Sequence, residues 1–140
     1  MCGGTTEWYT SDLKNAMNNP SESQIRAYRE FVGNKEAVIP SHKSFESADD
    51  GMLTTSLEVI EYKKFLSYVE AKTLMYFAEK AKKHTNGKRI IGAMYGYTGL
   101  DCSDMVKDGY MCADMVYNDE NIDVIACPAS YNFRKLESTG

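Results

Sequence analysis

Apolar residues recur along this chain with two periods, and the change from one to the other marks its elements. Residues 1–20 are small, polar and turn-rich, closing with Asn18-Asn19-Pro20. A helical spacing then begins at Ile25, Tyr28, Phe31 and Val32. Ser21-Glu22-Ser23-Gln24 has capping-box spacing, in which Ser21 accepts from the backbone and Gln24 reaches back. Gly33 suits the left-handed residue that follows a last helical turn. After an irregular connection over residues 33–54, Thr55-Ser56-Leu57-Glu58 repeats the capping box. Val59, Tyr62, Leu66, Val69, Thr73 and Tyr76 trace one long stripe, widened by Phe65 and Phe77, so this helix should bury that face. Lys80, Lys82, Lys83 and His84 crowd its last turn, where cations complement the helix dipole, and Asn86-Gly87 ends it.

Beyond that stop the pattern shortens. Lys88 to Tyr95 contains a compact apolar run with β-branched residues and reads as a buried strand. A third helix is expected from about Ser103 to Tyr117, with Met105, Val106, Cys112, Ala113 and Val116 facing the core. Ile122 to Cys127 is a second buried strand, stopped by Pro128. Two apolar strands joined by a helical crossover form a βαβ unit with parallel strands. The expected fold class is therefore α/β and helix-rich. Two strands alone cannot give a parallel sheet covered on both faces. Gly3-Gly4-Thr5-Thr6 could be the end of a further strand.

Composition narrows the function classes. The chain has 140 residues, 43% hydrophobic and 26% charged, which suits a single globular domain over residues 1–140. Lys and Arg number 16 against 20 Asp and Glu, a net charge of −4, which argues against a nucleic-acid partner. No apolar run is long enough for a membrane span, and the first residues lack the pattern of a secretory signal. A cytoplasmic protein with reduced thiols is the expectation. Cys2, Cys102, Cys112 and Cys127 form no C-x-x-C pair and the histidines are only His42 and His84, so no metal site is expected. Asp101, Asp104, Asp108, Asp114, Asp119, Glu120 and Asp123 read as a solvated acidic face.

In parallel α/β folds, chemistry gathers at the C-terminal ends of strands. Here those ends carry Glu7, Trp8 and Tyr9, then Tyr95 and Tyr97, then Ser130 and Tyr131 with Arg134 nearby. A carboxylate beside aromatic rings suits a sugar site. The rings cover the apolar face of a pyranose, and a carboxyl against them holds its proton more firmly. Packing alone would also account for the aromatics: Tyr95 and Tyr97 alternate, so one of them belongs to the core. Glu7 taken by itself is an ordinary surface carboxylate.

Three segments, Gly3-Gly4-Thr5-Thr6-Glu7-Trp8, Ile91-Gly92-Ala93-Met94-Tyr95-Gly96-Tyr97 and Ile122 to Tyr131, taken in order, resemble the middle of β-galactosidase-like glycoside hydrolases of the family 42 group. The resemblance spans nearly all of the chain. It implies a fragment of a (β/α)8 TIM barrel, about strands four to six with their helices: residues 1–6 would end the fourth strand, 89–96 form the fifth and 122–127 the sixth. It implies Glu7 as the general acid/base, although Thr6 stands where many such enzymes have asparagine. Trp8, Tyr95, Tyr97, Ser130, Tyr131 and Arg134 would line the sugar subsites, with no cofactor. The reaction implied is retaining hydrolysis of a β-galactoside, using two carboxyls about 5–5.5 Å apart. The nucleophile follows strand seven in such enzymes, and the role is not carried onto Glu137. The chain by itself should therefore be inactive, and its strand edges could associate with other chains. The alternatives are a small non-catalytic α/β binding or scaffold protein, and a Rossmann-like nucleotide binder. The latter lacks its phosphate loop, because Gly92, Gly96 and Gly99 do not fit G-x-G-x-x-G.

Overall fold

Helix α1 runs over Glu22–Val32, and both its ends are set by local chemistry. Ser21 stays extended and its hydroxyl accepts from the Gln24 N–H at 3.3 Å. At the far end Gly33 takes φ 68°, its N–H reaches the Glu30 carbonyl and the Asn34 N–H reaches that of Arg29. This pair of hydrogen bonds is the Schellman arrangement, and the positive φ favours glycine there. The capping box forms only by half. The Gln24 side chain turns outward instead and donates from Nε2 to the Tyr62 hydroxyl at 2.8 Å. A tertiary hydrogen bond thus replaces the local one.

The computed structural model describes residues 18–41, 57–95 and 110–126. Its elements after α1 are α2 (Leu57–His84), β1 (Gly92–Met94), α3 (Ala113–Tyr117) and β2 (Val124–Ala126). Thr55 and Ser56, expected to cap α2, lie outside the described residues, as do residues 96–109. The described part of the third helix is shorter than its spacing suggested, because residues 110–112 form a turn before Ala113. No helix among the described residues is long and apolar enough to cross a membrane.

α2 has 28 residues and spans about 42 Å at 1.5 Å per residue. It serves two cores in succession. Its first half buries Val59, Tyr62 and Phe65 against Tyr28 and Ile39, with Ile25, Phe31, Val32, Ala37 and Leu66 packed around them. Tyr28 meets Tyr62 and Phe65 edge-on, both at 5.3 Å between ring centres. Burial, helped by the Glu61 charge, pushes the Tyr28 phenol up to about 12. The second core gathers Ala71, Tyr95, Tyr110, Cys112, Ala113 and Val116, with Tyr68, Leu74, Met115, Ile122 and Ile125 at its margin. At about 100° per residue, the side of α2 bearing Ala71 and Leu74 is turned roughly 140° from the side facing α1. Small residues permit this second approach: Ser67 and Ala71 are fully buried, and the Ser67 hydroxyl is satisfied by the Lys63 carbonyl at 3.0 Å.

The single stripe expected along α2 is therefore covered only in its first half. Val69, Tyr76 and Phe77 stand exposed. The strands differ from expectation in a related way. β1 and β2 pair in parallel, with Gly92 opposite Val124, Ala93 opposite Ile125 and Met94 opposite Ala126. The Tyr95 N–H extends the ladder to the Ala126 carbonyl at 3.2 Å. Among the described residues, three of each strand pair, and the two faces differ. Ala93, Tyr95 and Ile125 face the helices, whereas Ile90, Met94 and Val124 are 77%, 59% and 50% exposed.

Asp123 holds the lower edge of this unit together. Its Oδ2 accepts from the Ile91 N–H at 2.7 Å and pairs with Lys82 Nζ at 2.6 Å, while Lys82 also donates to the Arg89 carbonyl at 3.2 Å. One carboxylate thus joins the end of α2 to the start of both strands. The hydrogen bond from Lys82, then that from Ile91, holds the Asp123 carboxyl below its ordinary value of 3.8. A depressed carboxylate adds stability above its unfolded value, and that stability is lost as the pH falls through the folded one. Asp123→Asn should lower the melting temperature at pH 7 and flatten the loss of stability below about pH 4. An unchanged acid limb in thermal melts across that range would disprove this linkage.

Candidate functional site at the strand ends

Parallel pairing brings the C-terminal ends of β1 and β2 to the same side. Tyr95 is the first residue past β1 and only 2% exposed. Because side chains alternate along a strand, Tyr95 shares the helix-facing side with Ala93. Its ring lies edge-on to Tyr110 at 4.9 Å and to Tyr117 at 6.3 Å. Its phenol oxygen is buried with no hydrogen-bond partner among the described residues. Desolvation pushes the phenol well above its ordinary range, and the nearby Glu70 charge adds to the shift. A buried hydroxyl left without a partner costs on the order of 1–3 kcal/mol, so the position selects for a group that can satisfy this phenol.

Glu70 is the second chemical group here. It projects from α2, is half-buried, and desolvation raises its carboxyl from 4.5 to about 7. A carboxyl of this kind holds its proton close to neutrality and can give it up there, the property a general acid needs. Cys112 completes the cluster as a buried thiol. Desolvation, and then the Asp114 charge, push its pKa up while Lys64 pulls it down, so it is protonated at neutral pH and not a ready nucleophile.

Glu70 was not singled out by sequence reasoning, yet a signal was present. Residues three and four positions away on a helix are neighbours. For Glu70 these are Leu66, Ser67, Thr73 and Leu74, none of them a cation. Glu79, by contrast, has Lys82 and Lys83 at those spacings, and Glu61 has Lys64. An acid without a cation one turn away has no local charge to offset burial, and at Glu70 the helix does bury it in part.

Tyr95 is the expected site residue whose surroundings are described. Glu7, Trp8, Tyr97, Ser130, Tyr131 and Arg134 lie outside the described residues. A groove of about 660 Å³ runs along α1 instead, beside Glu22, Arg26, Arg29, Glu30 and Lys35. Its mixed charges and lack of aromatic rings set it apart from the strand-end chemistry. Comparison with known proteins finds no family model, curated protein or solved structure that matches this chain.

Proposed function

We propose that this chain supplies part of the catalytic barrel of a glycoside hydrolase acting on β-galactoside-type bonds, with its site at the C-terminal ends of the strands. The observation that carries this reading is the two-sided character of the β1–β2 pair. One face is closed by α2 and α3, as an outer helical layer closes a barrel. The opposite face exposes Met94 and Val124, apolar side chains of the kind that fill a barrel interior, and Ile90 just before β1 is exposed too. Glu7 would protonate the leaving oxygen, and Trp8, Tyr97, Ser130, Tyr131 and Arg134 would hold the sugar. Tyr95 would support these loops from the helix side.

The resemblance carries only one carboxylate of the catalytic pair onto this chain. The purified protein is accordingly expected to leave a nitrophenyl β-galactoside intact, yet to bind a β-galactoside with a saturable change in the emission of Trp8, its single tryptophan. Turnover that disappears in Glu7→Gln would disprove inactivity in isolation. A titration with no saturable response would remove the sugar-binding reading itself.

One observation favours a non-catalytic α/β binding module instead: Tyr95 is packed as a core residue. Under that reading the chain is monomeric, unfolds in one cooperative step and shows no preference for galactosides.

A further inference from the structure

The stripe on α2 continues past the point where α1 stops covering it. α1 has 11 residues, about 16 Å of helix, against about 42 Å for α2. Val59, Tyr62 and Leu66 belong to the covered stretch, and Val69, Thr73, Tyr76 and Phe77 prolong the same side. Tyr76 is 54% and Phe77 63% exposed, and the two rings meet edge-on at 5.6 Å. Two large aromatic side chains in contact at the surface, in line with an existing helix–helix interface, form a patch and not a scatter of single residues.

Charge says what would cover it. The residues four before, four after and seven after Tyr76 are Lys72, Lys80 and Lys83, all exposed. Lys80 lies over the Tyr76 ring at 4.9 Å from its centre. Glu79, the residue before Lys80, sits 4.0 Å from it. A second copy of this helix would set lysines against lysines, which disfavours self-pairing. An apolar helix bordered by carboxylates matches both the rings and the cations.

We propose that the exposed second half of the α2 stripe, centred on Tyr76 and Phe77, is a docking surface for an amphipathic helix with acidic flanks. The surface continues the side of α2 that α1 covers, and the proposal is independent of the glycosidase reading. The probes are two labelled synthetic helical peptides of about 18 residues, long enough for helix formation in water. Both carry leucines at helical spacing, one with glutamate flanks and one with lysine flanks. Fluorescence anisotropy with the full chain at low salt should show the acidic peptide binding about tenfold more tightly or better, as two or three exposed ion pairs provide. Added salt should weaken that binding. The exposed double variant Tyr76→Ser/Phe77→Ser, shown by circular dichroism to retain its helices, should abolish it. Equal affinity for the two peptides, or binding unaffected by the double variant, would overturn the proposal. Concentration-dependent dimerisation in sedimentation that the double variant removes would assign the surface to a second copy and overturn it too.

Discussion

Tyr62→Ala is expected to cost about 3–5 kcal/mol, as large aromatic truncations in a core do. That is a large share of the roughly 5–15 kcal/mol that holds a typical domain folded. Tyr62 is fully buried, packs its ring against Tyr28 and Phe65, and receives the Gln24 amide at 2.8 Å. Truncation would open a void between α1 and α2 and strand the Gln24 side chain. Tyr62→Phe keeps the ring and gives up the hydrogen bond, so its cost should be nearer 1 kcal/mol. Urea titrations followed by far-ultraviolet circular dichroism separate the two variants. A loss below about 1 kcal/mol for Tyr62→Ala would show that the first core does not depend on this ring.

The second large effect concerns pH. The folded chain holds the Glu70 carboxyl at about 7, against 4.5 when solvated. Between those values the unfolded chain has released a proton that the folded chain keeps. Stability should therefore fall as the pH rises from about 4.5 to about 7 and level off above it. The shift corresponds to ~3 kcal/mol at 1.36 kcal/mol per pKa unit. Water reaching a half-buried carboxyl reduces this to about 1–2 kcal/mol. Glu70→Gln should remove this slope and leave the protein more stable than the parent at pH 8. Denaturation midpoints across pH 4–9 measure it directly, and parallel curves for parent and variant would rule the linkage out.

The ends of α1 were legible because capping acts within a few residues of the cap. Ser21 and Gly33 carry their own instructions. The first turns of α2 were equally legible, since Val59, Tyr62 and Phe65 are large and apolar. The second core was harder to see. On α2 the buried residue of this core is Ala71, beside the buried Ser67, and these small side chains give almost no hydrophobic signal, while Tyr68 and Leu74 lie only at its margin. Close approach selects such residues, and periodicity does not report close approach. Gln24 was misassigned because nothing local reveals that Tyr62, far along the chain, competes for its amide. Asp123 was hidden in an acidic run that reads as solvated, although Lys82 and Ile91 engage it. The strands were placed correctly by their apolar runs. Their burial was overstated, because an apolar residue in a strand marks a face without showing that the face is covered. Of the strand-end groups, Tyr95 is seen in its setting. Glu70, the acid beside it, comes from a helix, where a rule about strand ends does not look.

The meeting of Phe31 and Tyr68, with rings 5.1 Å apart, lies where the two cores approach each other along α2. A helix shared by two cores cannot be loosened for one alone. The turns around Leu66 to Glu70 are braced from one side by α1 and from another by the strand unit, and each brace holds those turns in the shape the other requires. Fraying that begins at α1 therefore removes one of the two braces on these turns and leaves them held by the strand unit alone.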